Sequence, residues 1–327
     1  MSTIKSIIWI LFIHKFLYHQ VITQVLHYSY KEVISSEYKC DFLFISLKDS
    51  FENATELSTS HLFDKTDDDV QSIEFRHGAF SFTFPTFICD KFKNLRYIDM
   101  AKGFVSKIGE KDLENCTNLE RLCLNAISEE TLWENFFEHN TKLSSLKLFS
   151  ISLKTLDRNF LANVNETLTD LELSISADSF TFPSDFLSSL LNLRTLKLGI
   201  QELTDLPSTL FENSVKLEVI AMSYCNITDL PKGIFKSLRN LLDLDLSGNK
   251  LQTIHSDSFG SHPSLMTVDL SSNPITAIDP KFYQLPSLLY ITLPRECGDS
   301  IVVDDHLNGT KIKKKSDKCT ASYKPRD

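Results

Sequence analysis

Cysteines are the residues of this chain whose type and spacing most directly indicate chemistry. The sequence of 327 residues contains seven of them. Cys297 and Cys319 flank the last apolar segment and a polar C-terminal tail, and this placement predicts a disulfide bond in a terminal cap. Because seven is an odd number, at least one thiol has no intramolecular partner, which indicates a route to a disulfide-linked dimer.

Motifs of known catalytic and metal sites are missing from the sequence. It contains no Gly-rich phosphate loop, G-x-S-x-G elbow, H-E-x-x-H helix or C-x-x-C pair. Asp67, Asp68 and Asp69 could bind calcium, but an exposed acidic run of this kind is more typical of a solvated segment. The sequence therefore predicts that the chain is not an enzyme, and it indicates neither a cofactor nor a metal.

The charge balance bears on the kind of partner. The formal net charge is -9, whereas a nucleic-acid-binding protein is expected to carry a basic footprint, so nucleic acid is not an expected partner. A basic tail follows at the C-terminus and consists of Lys311, Lys313, Lys314, Lys315 and Lys318. It is either a solubilising end or a contact for an anionic polymer or membrane surface.

The N-terminus has the pattern of a secretory signal. Lys5 precedes the apolar run Ile7–Ile13, and we assign residues 1–24 to a signal peptide. The alternative is a buried first strand or an uncleaved anchor. No later segment approaches 18 apolar residues, so stable membrane insertion is not expected. Five N-glycosylation sequons agree with a secreted, extracellular protein, and they begin at Asn53, Asn115, Asn165, Asn226 and Asn308.

One apolar pattern, L-x-x-L-x-L, recurs along most of the chain. Its successive copies are 23 to 25 residues apart, a regularity that indicates a repeat architecture. The first apolar residues of the copies are Val70, Leu95, Leu119, Leu143, Leu168, Leu193, Leu217, Leu241, Leu265 and Leu288.

Each copy predicts a short strand, because alternate residues of a strand face opposite sides. The leucines then point into the stack, and the intervening residues point outward from a parallel sheet. Asn249 and Asn273 follow their strands by three residues, where an inward amide can satisfy backbone groups of the turn. The sequence predicts an α/β solenoid with a concave parallel sheet and about ten repeats of 24 residues.

A second column, 17 or 18 residues after each first leucine, predicts an apolar spine on the convex side. The large apolar side chains of this column indicate core packing rather than a ligand-binding aromatic cage. The column consists of Ile88, Leu113, Phe137, Leu161, Phe186, Phe211, Phe235, Phe259 and Phe282.

The repeat register also places the remaining cysteines. Cys89 and Cys116 occupy similar positions in adjacent repeats, so they could meet on the convex side and form a disulfide bond. Cys225 lies in the inward Asn/Cys slot, which predicts a buried free thiol, and Cys123 should face outward from the concave sheet. Cys40 either bonds another molecule or pairs with Cys89.

Outward residues of repeats eight to ten form the candidate protein-binding site. Asp243, Asp245 and Asp269 should lie close together, and because like charges repel, they are not expected to help the fold. Apolar residues beside an acidic group are typical of an interface. The alternative is that the C-terminal cap covers them. These apolar residues are Leu242, Met266, Leu289 and Tyr290.

On these motifs the chain resembles the extracellular leucine-rich-repeat family. Tyr38-Lys39-Cys40 and the following Phe42-Leu43-Phe44-Ile45 look most like secreted insect members, including the mosquito leucine-rich immune proteins. The resemblance implies an N-terminal cap at 25–69, a leucine-rich-repeat horseshoe at 70–295, and a C-terminal cap with the basic tail at 296–327. It also implies a secreted recognition or adaptor module that binds a protein ligand, as in insect innate immunity. The alternative is a matrix or cell-adhesion module.

Overall fold

The fold is known from a computed structural model that describes most of the repeat region. The residues described are 27–32, 38–43, 65–77, 81–101, 104–125, 127, 134–153, 159–176, 183, 185–201, 203–295, 297, 301–302 and 319. The predicted signal peptide, the sequons at Asn53 and Asn308 and the five lysines of the basic tail lie outside these residues.

Short strands alternate with turns and single-turn helices. The strands are β1 (His27–Glu32), β2 (Tyr38–Leu43), β3 (Val70–His77), β4 (Ser81–Thr83), β5 (Tyr97–Asp99), β6 (Phe104–Lys107), β7 (Arg121–Asn125), β8 (Ser145–Ile151), β9 (Asp170–Ile175), β10 (Thr195–Ile200), β11 (Val219–Ala221), β12 (Asp243–Asp245), β13 (Thr253–Ile254), β14 (Thr267–Asp269), β15 (Ala277–Ile278), β16 (Tyr290–Thr292) and β17 (Ile301–Val302). Helix α1 is Phe87–Lys91, and 3-10 helices cover Asp67–Asp69, Ala162–Val164, Ser256–Ser258 and Pro280–Gln284.

One long sheet carries the repeats. From β3 to β16, strands of successive repeats pair in parallel, as in the register that joins Asp243, Thr267 and Tyr290. The second leucine-type residue of each repeat lies within its strand and is at most 1% exposed. The predicted solenoid and its register are therefore confirmed. These buried strand residues are Ile73, Ile98, Leu122, Leu146, Leu171, Leu196, Ile220, Leu244, Val268 and Ile291.

Inward asparagines close the turns of the later repeats, as the sequence predicts. The Asn249 side chain accepts hydrogen bonds from the amides of Cys225 and Ile227, at 3.0 and 3.1 Å. Its amide group donates to the carbonyls of Met222 and Leu246, at 2.7 and 2.9 Å. Asn273 repeats this arrangement one coil later, so the two residues form a ladder through the stack.

The apolar spine is also confirmed. All nine predicted members are at most 1% exposed, and the ring centroids of Phe235 lie 5.8 Å from Phe211 and 5.5 Å from Phe259. One position differs in detail. The ring that stacks on Phe137 is Phe160, at 5.3 Å, while the neighbouring Leu161 is buried without extending the row of rings.

Additional strands extend both ends of the main sheet. At the N-terminal end, β1 and β2 form an antiparallel pair, and β2 pairs in parallel with β3. At the C-terminal end, β17 pairs antiparallel with β16. Two small sheets, β4–β6 and β13–β15, lie outside the main sheet.

Two disulfide bonds join the pairs that the sequence predicts. Cys89 is bonded to Cys116, with a Cα–Cα distance of 5.0 Å, and Cys297 is bonded to Cys319, with a Cα–Cα distance of 5.3 Å. The alternative pairing of Cys40 with Cys89 is therefore wrong, because the coil path brings Cys116 beside Cys89. No helix among the described residues is long and apolar enough to cross a membrane.

Candidate binding surface

The candidate surface lies on the last three parallel strands, β12, β14 and β16. Asp243, Thr267 and Tyr290 form one cross-strand row of this surface. A second row is formed by Asp245, Asp269 and Thr292. The rows stand on either side of the buried central residues, so both face outward on the concave side. We call these rows, with the apolar residues just before each strand, the C-terminal concave surface.

Apolar residues border the acidic rows where the strands begin. The backbone amide of Met266 donates to the Leu242 carbonyl, and that of Leu289 donates to the Met266 carbonyl, both at 2.8 Å. These bonds place the three residues side by side. Leu242, Met266 and Tyr290 are 37, 42 and 40% exposed, and Leu289 is half-buried. At the C-terminal edge of this surface, β17 pairs antiparallel with β16.

Asp245 and Asp269 do help the fold, contrary to the expectation from charge repulsion. The Oδ1 atom of Asp245 accepts the amide of Ser247, and that of Asp269 accepts the amide of Ser271, both at 2.8 Å. Each carboxylate thereby holds the turn that follows its strand. Asp243 has a different role, since it accepts a hydrogen bond from the hydroxyl of Thr267 on the next strand.

Cross-strand ion pairs neutralise several of the charges on the preceding part of the concave sheet. Arg96 binds Glu120 through two nitrogens, at 2.7 and 2.8 Å. Lys147 lies 3.6 Å from Glu172, and Arg194 pairs with Glu218. On the C-terminal concave surface, by contrast, none of the three aspartates forms an ion pair with any described residue, and its outward positions include no Lys or Arg. Its negative charge is therefore available to a partner.

A cleft in the middle of the concave sheet was not expected from sequence. It has a volume of about 360 Å³. Its charged walls mix both signs, and the guanidinium of Arg121 also lies 3.7 Å from the centre of the Tyr97 ring. The alternation of Lys147, Glu172 and Lys197 in one outward column was the only sequence signal for it. The cleft is lined by Arg121, Ser144, Ser145, Lys147, Asp170, Leu171, Glu172, Thr195 and Lys197.

The acidic run at Asp67, Asp68 and Asp69 is engaged within the protein. It forms a 3-10 helix, and the Asp69 carboxylate accepts a hydrogen bond from the Thr66 amide at the start of this helix. Asp69 also forms an ion pair with Lys65, and Asp67 forms one with Lys91 at 2.9 Å. Among the described residues, no group of three or more His, Cys, Asp or Glu side chains could hold a metal ion.

Two described cysteines are free, in the environments that the register predicts. Cys225 is buried, and its thiol donates to the carbonyl of Leu198 at 3.1 Å. Cys123 is partly exposed on the outward face of β7. Burial raises the pKa of the Cys123 thiol to about 12, and the nearby Asp99 carboxylate adds to this rise.

We therefore expect Cys123 to react slowly with iodoacetamide at pH 8 in the folded protein. Because the reactive species is the thiolate, a higher pKa lowers the reactive fraction, although it makes the thiolate itself more nucleophilic. The net expectation is a rate roughly 30- to 100-fold below that of a cysteine in a free peptide. The rate should rise as the pH approaches 12, provided that the protein stays folded. Mass spectrometry of the peptide containing Cys123 measures it, and peptide-like labelling at pH 8 would contradict the expectation.

Three of the five sequons lie among the described residues. Asn115 is exposed, while Asn165 and Asn226 are half-buried. The Asn226 amide donates to the Gln201 carbonyl at 2.6 Å, which directs this side chain toward the preceding coil.

Two leucine-rich-repeat family models match the coils defined by the register. The model described as "Leucine rich repeat" matches residues 191–251 and 216–275. The model described as "BspA type Leucine rich repeat region (6 copies)" matches residues 59–183. No curated protein matches the chain.

Several solved structures share the fold. Toll in the Toll–Spatzle complex of Drosophila is 24% identical, with a TM-score of 0.54 over 69% of this chain and 34% of that chain. The glycosylated form of that complex is 21% identical, with a TM-score of 0.52 over 69% and 33%. The TLR13–ssRNA13 complex is 18% identical, with a TM-score of 0.57 over 75% and 38%. The chain thus spans little more than a third of the length of these proteins.

Leucine-rich-repeat and Toll-like folds are typically binding modules rather than enzymes. Both family models fall on the parallel coils whose leucines and asparagines build the core. This chain therefore has the leucine-rich-repeat fold, a solenoid of parallel strands.

Proposed function

We propose that this chain is a secreted, non-enzymatic recognition module that binds a protein partner on its C-terminal concave surface. The observation that carries the proposal is the set of three aspartates that form no ion pair with a described residue and are bordered by exposed apolar side chains. Elsewhere on the concave face, three cross-strand pairs neutralise several of the charges. An acidic surface with an apolar border is complementary to a basic, partly apolar protein surface, and it repels the phosphates of nucleic acid.

Two further observations support an immune role in the extracellular space. Toll, a neighbour in fold, is solved in a complex described as a hub in Drosophila development and innate immunity. The apolar run near the N-terminus and the five sequons are the features expected of a secreted glycoprotein, and the Tyr-Lys-Cys element resembles secreted insect relatives. Secretion is tested by expressing the chain in insect cells. We expect it in the medium with a mass that falls on treatment with a glycosidase, and retention in the cells would contradict this part.

Partner binding is tested with a triple variant, Asp243→Asn, Asp245→Asn and Asp269→Asn. Asparagine keeps the Oδ1 acceptor that holds the turns after β12 and β14, so only charge is removed. A matched control, Glu138→Gln, Glu166→Gln and Glu212→Gln, removes three exposed carboxylates outside the sheet. Each protein is immobilised, exposed to the extracellular fluid of the secreting tissue, and the captured proteins are identified by mass spectrometry.

We expect the wild type and the control to capture the same partner and the triple variant to bind it at least about 10-fold more weakly, with less dependence on salt. Surface plasmon resonance at two salt concentrations gives both quantities. Equal capture by all three proteins would remove the C-terminal concave surface from the proposal.

A further inference from the structure

Tyr224 is an exposed aromatic residue in a strained backbone conformation. It has the largest exposed fraction, 68%, among the exposed large hydrophobic side chains of the described residues. Its φ angle is 57°, in the left-handed region that a bulky L-residue adopts only at a cost.

The same position of the next two coils shows what the fold itself requires. Gly248 has a φ angle of 67° and Ser272 one of 56°, so each coil passes through the left-handed region just before the inward Asn/Cys slot. Glycine meets this requirement without strain. Because the coil would be served better by glycine, the side chain of Tyr224 is not explained by its own backbone, and strain of this kind points to a function.

The ring of Tyr224 lies against the next coil. A Cβ atom added to Gly248 would lie 2.5 Å from two atoms of this ring, so the absence of a side chain at Gly248 makes room for it. The half-buried Asn226 points instead to the preceding coil, through its bond to Gln201. A glycan at Asn226 would therefore start on the other side of the ring.

Backbone bonds connect Tyr224 to the acidic rows. The Tyr224 amide donates to the carbonyl of Ser247 at 3.0 Å, and the amide of Ser247 is held by the Asp245 carboxylate at 2.8 Å. Tyr224 therefore borders the acidic rows where the strands end. Leu242 and Met266 border them where the strands begin, and Tyr290 lies at the end of the row that starts with Asp243. The carboxylates are thus flanked by apolar groups on both sides.

Resting on the proposed function, we propose that Tyr224 is the anchor for a cationic side chain of the protein partner. The partner presents an extended segment in which Arg or Lys alternates with apolar residues. The aliphatic stem of an Arg or Lys packs on the exposed ring, its charge faces Asp245, and the apolar residues contact the side chains at the strand starts. A cation is attracted both by the face of an aromatic ring and by a carboxylate that has no ion-pair partner. The aspartates of this surface therefore favour a positively charged side chain and repel a negatively charged one.

The test uses the full chain, defined peptides and a variant that separates binding from folding. The peptides are eight residues long and alternate Arg with Leu, Glu with Leu, or Arg with Ser. Asparagine tolerates the left-handed conformation, so Tyr224→Asn removes the ring without adding strain. Tyr224→Phe keeps the ring and serves as the matched control. Fluorescence anisotropy measures binding, and thermal denaturation measures Tm.

We expect the wild type and Tyr224→Phe to bind the Arg-Leu peptide best, and Tyr224→Asn to bind it about 5- to 30-fold more weakly. The Tm of Tyr224→Asn should be unchanged or higher, whereas a purely structural role for the ring would lower it. A lowered Tm with unchanged affinity would overturn the inference. If Tyr224→Asn binds the peptide as the wild type does while the aspartate triple variant does not, Tyr224 is not the anchor, and the proposed function stands. If the wild type does not prefer the Arg-Leu peptide over the Glu-Leu peptide, both are overturned.

Discussion

Replacing Asn249 with leucine is expected to lower the free energy of unfolding by about 3–5 kcal/mol. The Asn249 side chain is 4% exposed and satisfies the amides of Cys225 and Ile227 and the carbonyl of Met222. Leucine fills a similar volume but offers no polar atom, so these backbone groups would remain buried without partners. Each such group costs about 1–3 kcal/mol. Guanidinium denaturation measures the loss. Hydrogen exchange of the segment around Cys225 and Ile227 locates it, because the two amides should exchange faster.

The structure offers its own control for this substitution. In the preceding coil, Cys225 occupies the same slot and donates to Leu198 across 27 residues, as Asn249 does to Met222. Asn249→Cys should therefore be less destabilising than Asn249→Leu, since one of the bonds to carbonyl groups can re-form. Equal losses for the two variants would show that the hydrogen bonds of this slot contribute little to stability.

Replacing Phe235 with alanine is expected to cost about 3–5 kcal/mol as well, for a different reason. The Phe235 ring is fully buried and lies between the rings of Phe211 and Phe259. Its removal leaves a cavity in the middle of the spine. Neighbouring coils cannot close this cavity without breaking the register of the sheet on the other side. Because each coil is stabilised only by its neighbours, the loss should weaken coupling between the two halves of the solenoid.

Denaturation followed separately in the two halves of the solenoid would detect this uncoupling, because the unfolding transition would broaden or split. Phe235→Leu is the graded variant and should cost less, because most of the apolar volume remains. Val215→Ala is the surface control, since Val215 is 47% exposed, and it should change the stability by no more than about 0.5 kcal/mol. A loss for Phe235→Ala no greater than that of Val215→Ala would contradict the role of the spine.

The pairing of the cysteines shows how far spacing alone can predict structure. Cys89 and Cys116 occupy nearly equivalent positions in adjacent repeats, and coils that stack in register must bring such positions together. The bond between Cys297 and Cys319 was predicted on a different ground, because the two residues flank the last apolar segment and the polar C-terminal tail. Cys40 has no equivalent in a neighbouring repeat, and spacing therefore left its partner undecided.

The candidate surface was predicted in part. The alternation of a strand was enough to place Asp243, Asp245 and Asp269 outward, and the structure has them in the expected rows. Their roles could not be predicted, because a side chain that holds the turn after its own strand looks identical in sequence to one that faces a partner. The distinction between Asp245, which holds a turn, and Asp243, which bonds Thr267, required the path of the backbone.

The amino-acid sequence by itself determined the solenoid, its register and the buried columns. It also predicted the bond between Cys297 and Cys319, but it left Cys89 with either Cys116 or Cys40 as its partner. It could do so because every repeat carries the same local pattern, and the nearly constant spacing between repeats fixes which residues occupy equivalent positions. Only the tertiary structure decided which outward charges are neutralised, that Phe160 rather than Leu161 extends the rings from Phe137, and that Tyr224 is strained against Gly248. These features depend on contacts between residues one coil apart, whose geometry is set by the stacking of the coils and not by any single repeat.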